Sequence, residues 1–473
     1  MLMLDEEARG ALWRRVVAEI EAYVAEVERL PVSVAPDPAE IRARLAPLDF
    51  ARAVGPQEAV AFVVDCLKRY QVHTPHPRYY GLFNPAPTTM GIAADALVAA
   101  FNPQMAAWSH NPFAAEVEAH VVRVFGARFG YGESDGTFCS GGMEANHTAV
   151  LTALTHTQAE FGRGGVRALP AQPVLYISAE GHHSIIKSAR LCGLGHEAVR
   201  EIPVDDKLKL DCTALAAQIE RDRAAGFAPF MLVATLGTTN SGVLDPVAEL
   251  ADIAAQHNLW LHADAAWGGA AALVEELRPL LRGIERADSI TFDAHKWLSV
   301  PMGAGVYLTR HTDILTRTFR VANAYMPRAV EAEHDISSPY EHSMQWSRRF
   351  TGAKVFLSLL VAGWDGYAAA IRHQTEMGAL LRRELAQHDW AIVNETELPV
   401  VCFVDSMPGG DAPAHLDAML AEVFASGRAW ISTTRLGDGR HVLRACVTNY
   451  RTDERDVRAL VEALNDARAK VRN

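Results

Sequence analysis

The sequence predicts an α/β protein: a mostly parallel sheet with helices on both faces, preceded by a helical N-terminal arm and followed by a smaller α+β domain. Three observations carry that reading. Between about residues 174 and 296, short apolar, β-branched runs alternate with helical stretches, the pattern of strand–helix crossovers in a parallel sheet. The chemically loaded side chains gather where those runs end, at the strand C-termini, which is where open α/β sheets collect their functional groups. Beyond about residue 390 strands mix with helices without that alternation, which marks a separate unit.

Taken in order, residues 5–30 repeat apolar side chains at helical spacing, with Leu12, Val16, Ile20, Tyr23 and Val24 on one side. Pro31 ends that helix, a second begins after Pro36-Asp37-Pro38, and residues 55–70 supply a third. These helices precede the first strand and have no sheet of their own to cover, so they are expected to form an arm that packs on a second copy of the chain. The segment from His76 to Pro85 is irregular, its prolines fixing the backbone between aromatics. Helical spacing returns over residues 88–100 and 113–125. A short strand then runs through Phe138 and Cys139 into Ser140-Gly141-Gly142, and a helix follows at once with Glu144 in its first turn. Paired glycines allow close backbone approach, and a helix N-terminus offers free N–H groups and a positive dipole, so this turn is a candidate phosphate cradle.

Strands are expected at 174–177, 230–235, 260–263 and 289–292, with helices between them such as 246–257. They empty into His182-His183, into Thr235 to Thr239, into Asp264 and into Lys296. Another apolar strand follows at 303–309, and then a long polar stretch, 322–349, without periodicity, expected to be a lid. A long amphipathic helix over 352–385 opens the last part, with strands at 391–394, 400–404, 430–433 and 441–447 and helices at 414–425 and 453–467. The expected organisation is an arm over 1–80, a large domain over 81–350 and a small α+β domain over 351–473, with no internal repeat.

Composition narrows the class. A net charge of −12, with 49% hydrophobic and 22% charged residues over 473 positions, describes a soluble globular chain with core enough for two or three domains. The acidic balance argues against nucleic acid or an anionic membrane surface as partner. Six cysteines (Cys66, Cys139, Cys192, Cys212, Cys402 and Cys446) lack CxxC or other metal-ligand spacing, so they are expected to be reduced thiols and no metal site is predicted. The first residues lack the basic start and apolar run of a secretory signal, and no apolar stretch approaches the length of a membrane span, so the protein is expected in the cytoplasm.

The chemistry centres on Lys296. It lies in His295-Lys296-Trp297, just past a buried strand, where partial desolvation favours the neutral, nucleophilic amine. A lone lysine at a strand end more often snorkels to water. Upstream, however, a second buried strand ends in Asp264, and a carboxylate there is costly without a cationic partner. A pyridinium nitrogen is such a partner, and a lysine with an Asp opposite the ring nitrogen is the pattern of pyridoxal phosphate (PLP) enzymes.

With these residues in view, the chain resembles the PLP-dependent group II amino-acid decarboxylases. FCSGGMEAN (138–146), AEGHHS (179–184), ATLGTTNSGVLDP (234–246), HADAAWGG (262–269) and FDAHKW (292–297) occur in that family's order, and the likeness runs from HPRYYG (76–81) to RACVTNYRT (444–452). The resemblance implies PLP fold type I, a homodimer, and release of carbon dioxide and an amine from an L-amino acid. It places Lys296 at the lysine that holds the cofactor as a Schiff base and Asp264 at the carboxylate on the pyridine nitrogen. His182 falls at the imidazole that stacks on the ring, with His183 beside it as the alternative. Ala266 falls on the ring's other face, and Ser140, Gly141, Gly142 and Met143 on the phosphate-binding turn. His295 precedes the lysine as in relatives, and Thr235 falls near the ring oxygen. Tyr340 matches a mobile-loop tyrosine implicated in protonating the carbon that loses its carboxylate, and Leu82, Phe83, Gln104, Ala106 and Arg444 match positions lining the substrate cleft. Arg444 is either a cleft residue or part of a structural salt bridge.

Three departures from the family pattern stand out. Met143 replaces a small or hydroxyl residue, so backbone N–H groups must hold the phosphate. Asp293 replaces an Asn, so this carboxylate is expected to be paired or turned away. The cleft positions complete neither the aromatic-specific nor the glutamate-specific pattern, so the substrate is not named. The same cofactor and fold also serve aldolase-type lyases, aminotransferases and decarboxylation-dependent oxidative deaminases, and a non-catalytic descendant is the alternative from another class.

Overall fold

The computed structural model describes residues 2–321 and 336–472. The N-terminal helices are α1 (Glu6–Glu26), α2 (Pro38–Leu45) and α3 (Pro56–Arg69). Asp5 and Asp37 cap the first two by accepting from the N–H groups of Ala8 and Ala39, and Pro38 and Pro56 occupy first turns that need no donor. None of the three helices buries a residue, and Trp13, Val17, Val24, Val63 and Leu67 stay exposed. Val16, Ile20 and Tyr23 of α1 face Val60 and Val64 of α3 across an apolar groove of about 670 Å³.

After α4 (Thr89–Phe101) and α5 (Pro112–Arg128), the chain builds the large sheet. Its elements are β1 (Asp135–Cys139), α6 (Gly142–Thr157), α7 (Phe161–Gly164), β2 (Pro173–Ser178), α8 (Ser184–Leu191) and β3 (Val199–Ile202). There follow α9 (Cys212–Ala224), β4 (Ala228–Thr235), α10 (Val247–His257), β5 (Trp260–Asp264), β6 (Ser289–Asp293), β7 (Gly305–Thr309) and α11 (Ile314–Phe319). The seven strands run in the order β1-β7-β6-β5-β4-β2-β3. Pairing is parallel from β3 to β6, and β7 runs antiparallel to both β6 and β1. Strands β2, β5, β6 and β7 are buried along their whole length, which is why each reads as a continuous apolar run. Register matters most for function: Thr235 pairs with Asp264 and Asp264 with Thr291, so the last residues of β4 and β5 lie level with Thr291, two before the end of β6.

The remainder comprises α12 (Gly352–Gln387), β8 (Trp390–Ile392), β9 (Val400–Asp405), α13 (Pro413–Ser426), β10 (Ser432–Arg435), β11 (His441–Cys446) and α14 (Glu454–Arg472). The four strands form an antiparallel sheet in the order β10-β11-β9-β8. Helix α12 joins the two cores. Val355, Tyr367 and Ile371 pack with Phe125, Phe292 and Trp267, whereas Met377, Leu381 and Leu385 pack with Phe403, Leu443 and Leu460.

Several sequence expectations change. Strand β3 is absent from the reading because Val199-Arg200-Glu201-Ile202 is polar at its centre, as suits a sheet edge. The strand expected over 430–433 begins at Ser432, and Trp430 makes only an isolated bridge to Tyr79. Of the stretch expected as a lid, residues 322–335 lie outside the described residues. Residues 336–349 contain a short helical turn, Pro339–Glu341, and are tied down by Arg348, whose two terminal nitrogens donate to Glu118 at 3.0 and 2.6 Å. One helix, α12, does have the length and apolarity of a membrane span, contrary to expectation. Its backbone breaks at Gly363 (φ 60°, ψ −178°) and its buried side chains complete the two cores instead.

Leu381 is fully buried where α12 meets the small sheet. Leu381→Ala should cost about 3 kcal/mol through lost transfer energy and the cavity left behind, read as a lowered denaturation midpoint at unchanged slope.

Candidate active site

Asp264 sits at the end of β5 with 4% of its surface exposed. Its Oδ2 accepts from Asn146 Nδ2 at 2.8 Å and its Oδ1 from the N–H of Ala266 at 3.2 Å. Both donors are neutral, and among the described ion pairs none involves Asp264. Asn146 is itself held: its second amide hydrogen reaches Ser184 Oγ at 2.8 Å, and its Oδ1 lies 3.1 Å from His262 Nε2. That oxygen only accepts, so Nε2 carries the proton, and His262 Nδ1 accepts from Ser289 Oγ at 2.8 Å. Ser289 in turn receives Trp260 Nε1 at 2.9 Å. Burial pushes His262 down to about 4, so this relay is uncharged and ends at a single carboxylate.

Lys296 lies three residues past β6, its Nζ 3.1 Å from Asp293 Oδ2 and 5.6 Å from the centre of the Phe83 ring. Asp293 is therefore paired, one of the two outcomes its position allowed. His295 is buried, its Nδ1 accepting from the N–H of Ala304 at 3.2 Å, and burial lowers its pKa against the opposing pull of Asp293. The glycine turn stands directly above. A Cβ on Gly142 would lie 2.7 Å from Asp293 Oδ2, and one on Gly141 3.5 Å from the His295 ring. The first-turn N–H groups of α6 have no intrahelical acceptor. Ser140 contributes less than expected, because its N–H is taken by Glu144 Oε2 at 2.8 Å, leaving Gly141, Gly142 and Met143 to present donors. Glu144 also accepts from Gln345 Nε2 at 2.6 and 2.8 Å, which links the cradle to the segment before α12.

Of the two histidines, His182 is the one turned to the site. Its pKa is lowered by desolvation, against Asp264, and Lys296 and Asp293 also act on it. Its Nδ1 accepts from the N–H of Ser184 at 3.2 Å, while His183 is the N-cap residue of α8. Ala266 is 9% exposed and faces Gly142. Thr235 keeps a buried hydroxyl without a hydrogen-bond partner, which suits a polar atom on a ligand. Its backbone is clamped by Asp245, whose Oδ2 accepts the Thr235 N–H at 2.8 Å and whose Oδ1 accepts that of Leu210 at 2.9 Å.

The cleft residues fall into two groups. Phe83 stacks on Trp267 (4.5 Å, 19°) and Trp267 on Trp297 (4.9 Å, 18°). Arg444 lies over Phe83 at 5.0 Å, donating from Nε to Thr239 O and from Nη1 to Gly81 O, each at 2.8 Å; its buried Nη2 has no partner. Among the described residues no carboxylate pairs with it. Leu82 is 55% exposed. The second group gathers near Ala106, whose carbonyl accepts the Tyr340 N–H at 3.1 Å. Tyr340 is buried, packed against Trp346 with tilted rings 4.8 Å apart and its hydroxyl 3.2 Å from Glu341 Oε1. Gln104, two residues before Ala106, is exposed.

These residues fit PLP: a buried carboxylate without a protein cation, an orphaned hydroxyl, an amine, and a helix N-terminus cleared by glycines. Asn146, His262 and Asp245 escaped the sequence reading. Asn146 lay inside the quoted FCSGGMEAN motif, but its partner is 118 residues away.

Comparison with known proteins agrees. The conserved domain of pyridoxal-dependent decarboxylases matches residues 45–405. An aromatic-L-amino-acid decarboxylase of Bacillus atrophaeus is 32% identical over 95% of this chain and 93% of its own length. A human cysteine sulfinic acid decarboxylase is 32% identical over 71% of this chain and 68% of its own. Among solved structures, mouse CSAD superposes with a TM-score of 0.89 at 26% identity over 98% and 99% of the two chains. Oryza sativa TDC with PLP and tryptamine reaches 0.93 at 24% over 100% of both, a likeness of fold.

Burial raises Asp245 to about 7 despite its two N–H donors. The folded state then keeps a proton that the unfolded chain loses above its ordinary value near 4, so stability from this group falls as pH climbs from about 4 to about 7. Wild type should lose stability relative to Asp245→Asn across that window and run parallel to it above, as followed by denaturant titration at stepped pH.

Proposed function

The chain belongs to the pyridoxal-dependent decarboxylase family and releases the α-carboxylate of an L-amino acid as carbon dioxide, and on that footing we propose how its own residues divide the work. The observation that carries the division is Asp264: a buried carboxylate met only by neutral donors, on the strand beside the one that leads to Lys296.

When bound, PLP supplies the electron sink for the pair left behind as carbon dioxide departs. Lys296 would hold the cofactor through its amine. Asp264, held at fixed orientation by Asn146, keeps a proton on the ring nitrogen by charge. His182 and Ala266 would bound the cofactor ring, the first with its imidazole and the second with a methyl group. The N–H groups of Gly141, Gly142 and Met143 hold the phosphate with the dipole of α6, beside Ser140 and His295. Thr235, whose buried hydroxyl is left without a partner, would offer that hydroxyl to the cofactor. Tyr340 is the proposed donor of the proton that replaces the carboxylate. Leu82, Phe83, Gln104 and Arg444 contact the substrate.

The working unit is proposed to be a homodimer in the cytoplasm, with residues 1–80 as the dimerising arm, 81–350 as the cofactor domain and 351–473 as the small domain. In support, α1 and α3 leave apolar side chains exposed along a groove, the Phe83–Arg444 and Ala106–Tyr340 groups suit a cleft shared by two copies, and all six cysteines are free thiols. No role for nucleic acid or membrane enters this reading. Screening amino acids for carbon dioxide with matching amine tests the activity and names the substrate; carbonyl product instead of amine would replace this reading by oxidative deamination.

Lys296→Ala should abolish both the covalent visible band and turnover, and retention of both would overturn the assignment. Asp264→Asn should stay folded yet lose several orders of magnitude in kcat, since an amide cannot hold the ring proton by charge. A near-wild-type rate would mean that another group partners the ring nitrogen. Removing residues 1–50 should give insoluble or inactive protein; a soluble, active monomer would refute the dimer.

A further inference from the structure

Asp293 is a buried carboxylate in an unusual place. It is 1% exposed and wedged between two glycines: a Cβ on Gly142 would meet Oδ2 at 2.7 Å and one on Gly305 would meet Oδ1 at 2.8 Å. Oδ1 accepts no hydrogen bond, and Oδ2 is paired with Lys296 Nζ at 3.1 Å, with His295 Nε2 at 3.9 Å. His295 is pushed toward its neutral form by burial, so Lys296 is the cation that matters. The other acid at this turn is differently placed. Glu144 is satisfied by the N–H of Ser140 and the amide of Gln345. Asp293 therefore brings an incompletely compensated negative charge to the underside of a turn whose donors are suited to an anion.

We propose that Asp293 is an affinity-setting residue that loosens this chain's hold on the phosphate of its cofactor, making the cofactor exchangeable. This rests on the PLP reading above. A phosphate dianion on the N–H groups of the half-buried Gly141 to Met143 would lie over this buried carboxylate, where like charges a few ångströms apart interact strongly. Lys296 cannot offset both: it pairs with Asp293 as a free ammonium, and its amine is the group committed to the cofactor's aldehyde carbon. Replacing Asp293 by Asn keeps the shape between the two glycines, removes the charge and leaves Lys296 unopposed toward the phosphate.

The test uses the full-length chain freed of cofactor by dialysis and titrated calorimetrically with pyridoxine 5′-phosphate, which carries the phosphate without an aldehyde to react with Lys296. Asp293→Asn should bind it at least about tenfold more tightly than wild type; an uncompensated like charge about 4 Å away at an effective dielectric near 20 sets an upper scale of roughly a thousandfold, and the Lys296 ammonium offsets part of it. Pyridoxine, lacking the phosphate, should bind both proteins alike. Unchanged or weaker binding of the phosphate ester by Asp293→Asn, or an equal gain for pyridoxine, overturns the proposal. Asp293→Ser, which also removes the charge, should move in the same direction if the variant fold is intact by circular dichroism; a change in the opposite direction counts against it. If wild type forms no visible band with pyridoxal 5′-phosphate, the PLP reading itself has failed. A band in wild type with no tightening in Asp293→Asn rejects the role of Asp293 alone.

Discussion

The site is organised around the cost of burying one carboxylate. Asp264 is almost wholly out of water at the end of a central strand, and a charge in that position persists only when its neighbours hold it. The chain uses neutral donors, an amide from Asn146 and a backbone N–H from Ala266, which fix the direction of the carboxylate without cancelling its charge. The support runs inward through His262, Ser289 and Trp260, their donor and acceptor roles fixed by one another. A relay of that kind is stiff, because reversing any member would leave a buried donor or acceptor unpaired. The charge that remains is available to a cationic ring nitrogen, and that availability distinguishes a cofactor partner from a structural ion pair such as Arg348 with Glu118.

Strand register then distributes everything else. Because Thr235, Asp264 and Thr291 lie level across three parallel strands, the segments that leave them converge on one edge of the sheet. The antiparallel strand β7 brings Gly305 opposite Asp293, and β1 pairs with β7 so that Cys139 also meets Gly305 and the glycine turn begins there. A Cβ on Gly305 would fall 2.6 Å from the carbonyl carbon of Gly141. Two crossings of backbone, one from each side of β7, are thus compressed onto a side-chain-free residue, and the space saved lets the turn descend onto Lys296 and Asp293.

What the sequence made legible was local. Apolar runs on fully buried strands, paired glycines before a helix, and an Asp and a Lys each just past such a run announce themselves within ten residues, and the parallel alternation follows from their order. What stayed hidden depended on distance or on a weak local signal. The carboxylate of Asp245 clamps Thr235 only because β4 and the turn after it fold back, and Asn146 resembles any polar residue of an amphipathic helix until it meets a strand 118 residues away. Strand β3 has too little apolar pattern to stand out, and the break at Gly363 is invisible to a periodicity that continues on either side. Tyr340 was placed by family likeness alone, and likeness says nothing about whether a ring faces solvent or packs on Trp346.

Arg444 shows how the same physics bears on the cleft. Two of its nitrogens are spent on the carbonyls of Thr239 and Gly81, which join the loop after β4 to the irregular segment before α4. Among the described residues no acid pairs with its charge; the face of Phe83 covers it, and the same ring lies within 5.6 Å of Lys296. A cation held against an aromatic face is attracted without being discharged. The ring is in turn immobilised by stacking on Trp267 and, through it, on Trp297, the residue next to the lysine. Phe83 therefore acts as a rigid apolar partition between two positive groups. One N–H of Nη1 and both of Nη2 keep their donor capacity beside that aromatic surface, so a ligand reaching this cleft would be met by fit against the ring as well as by charge.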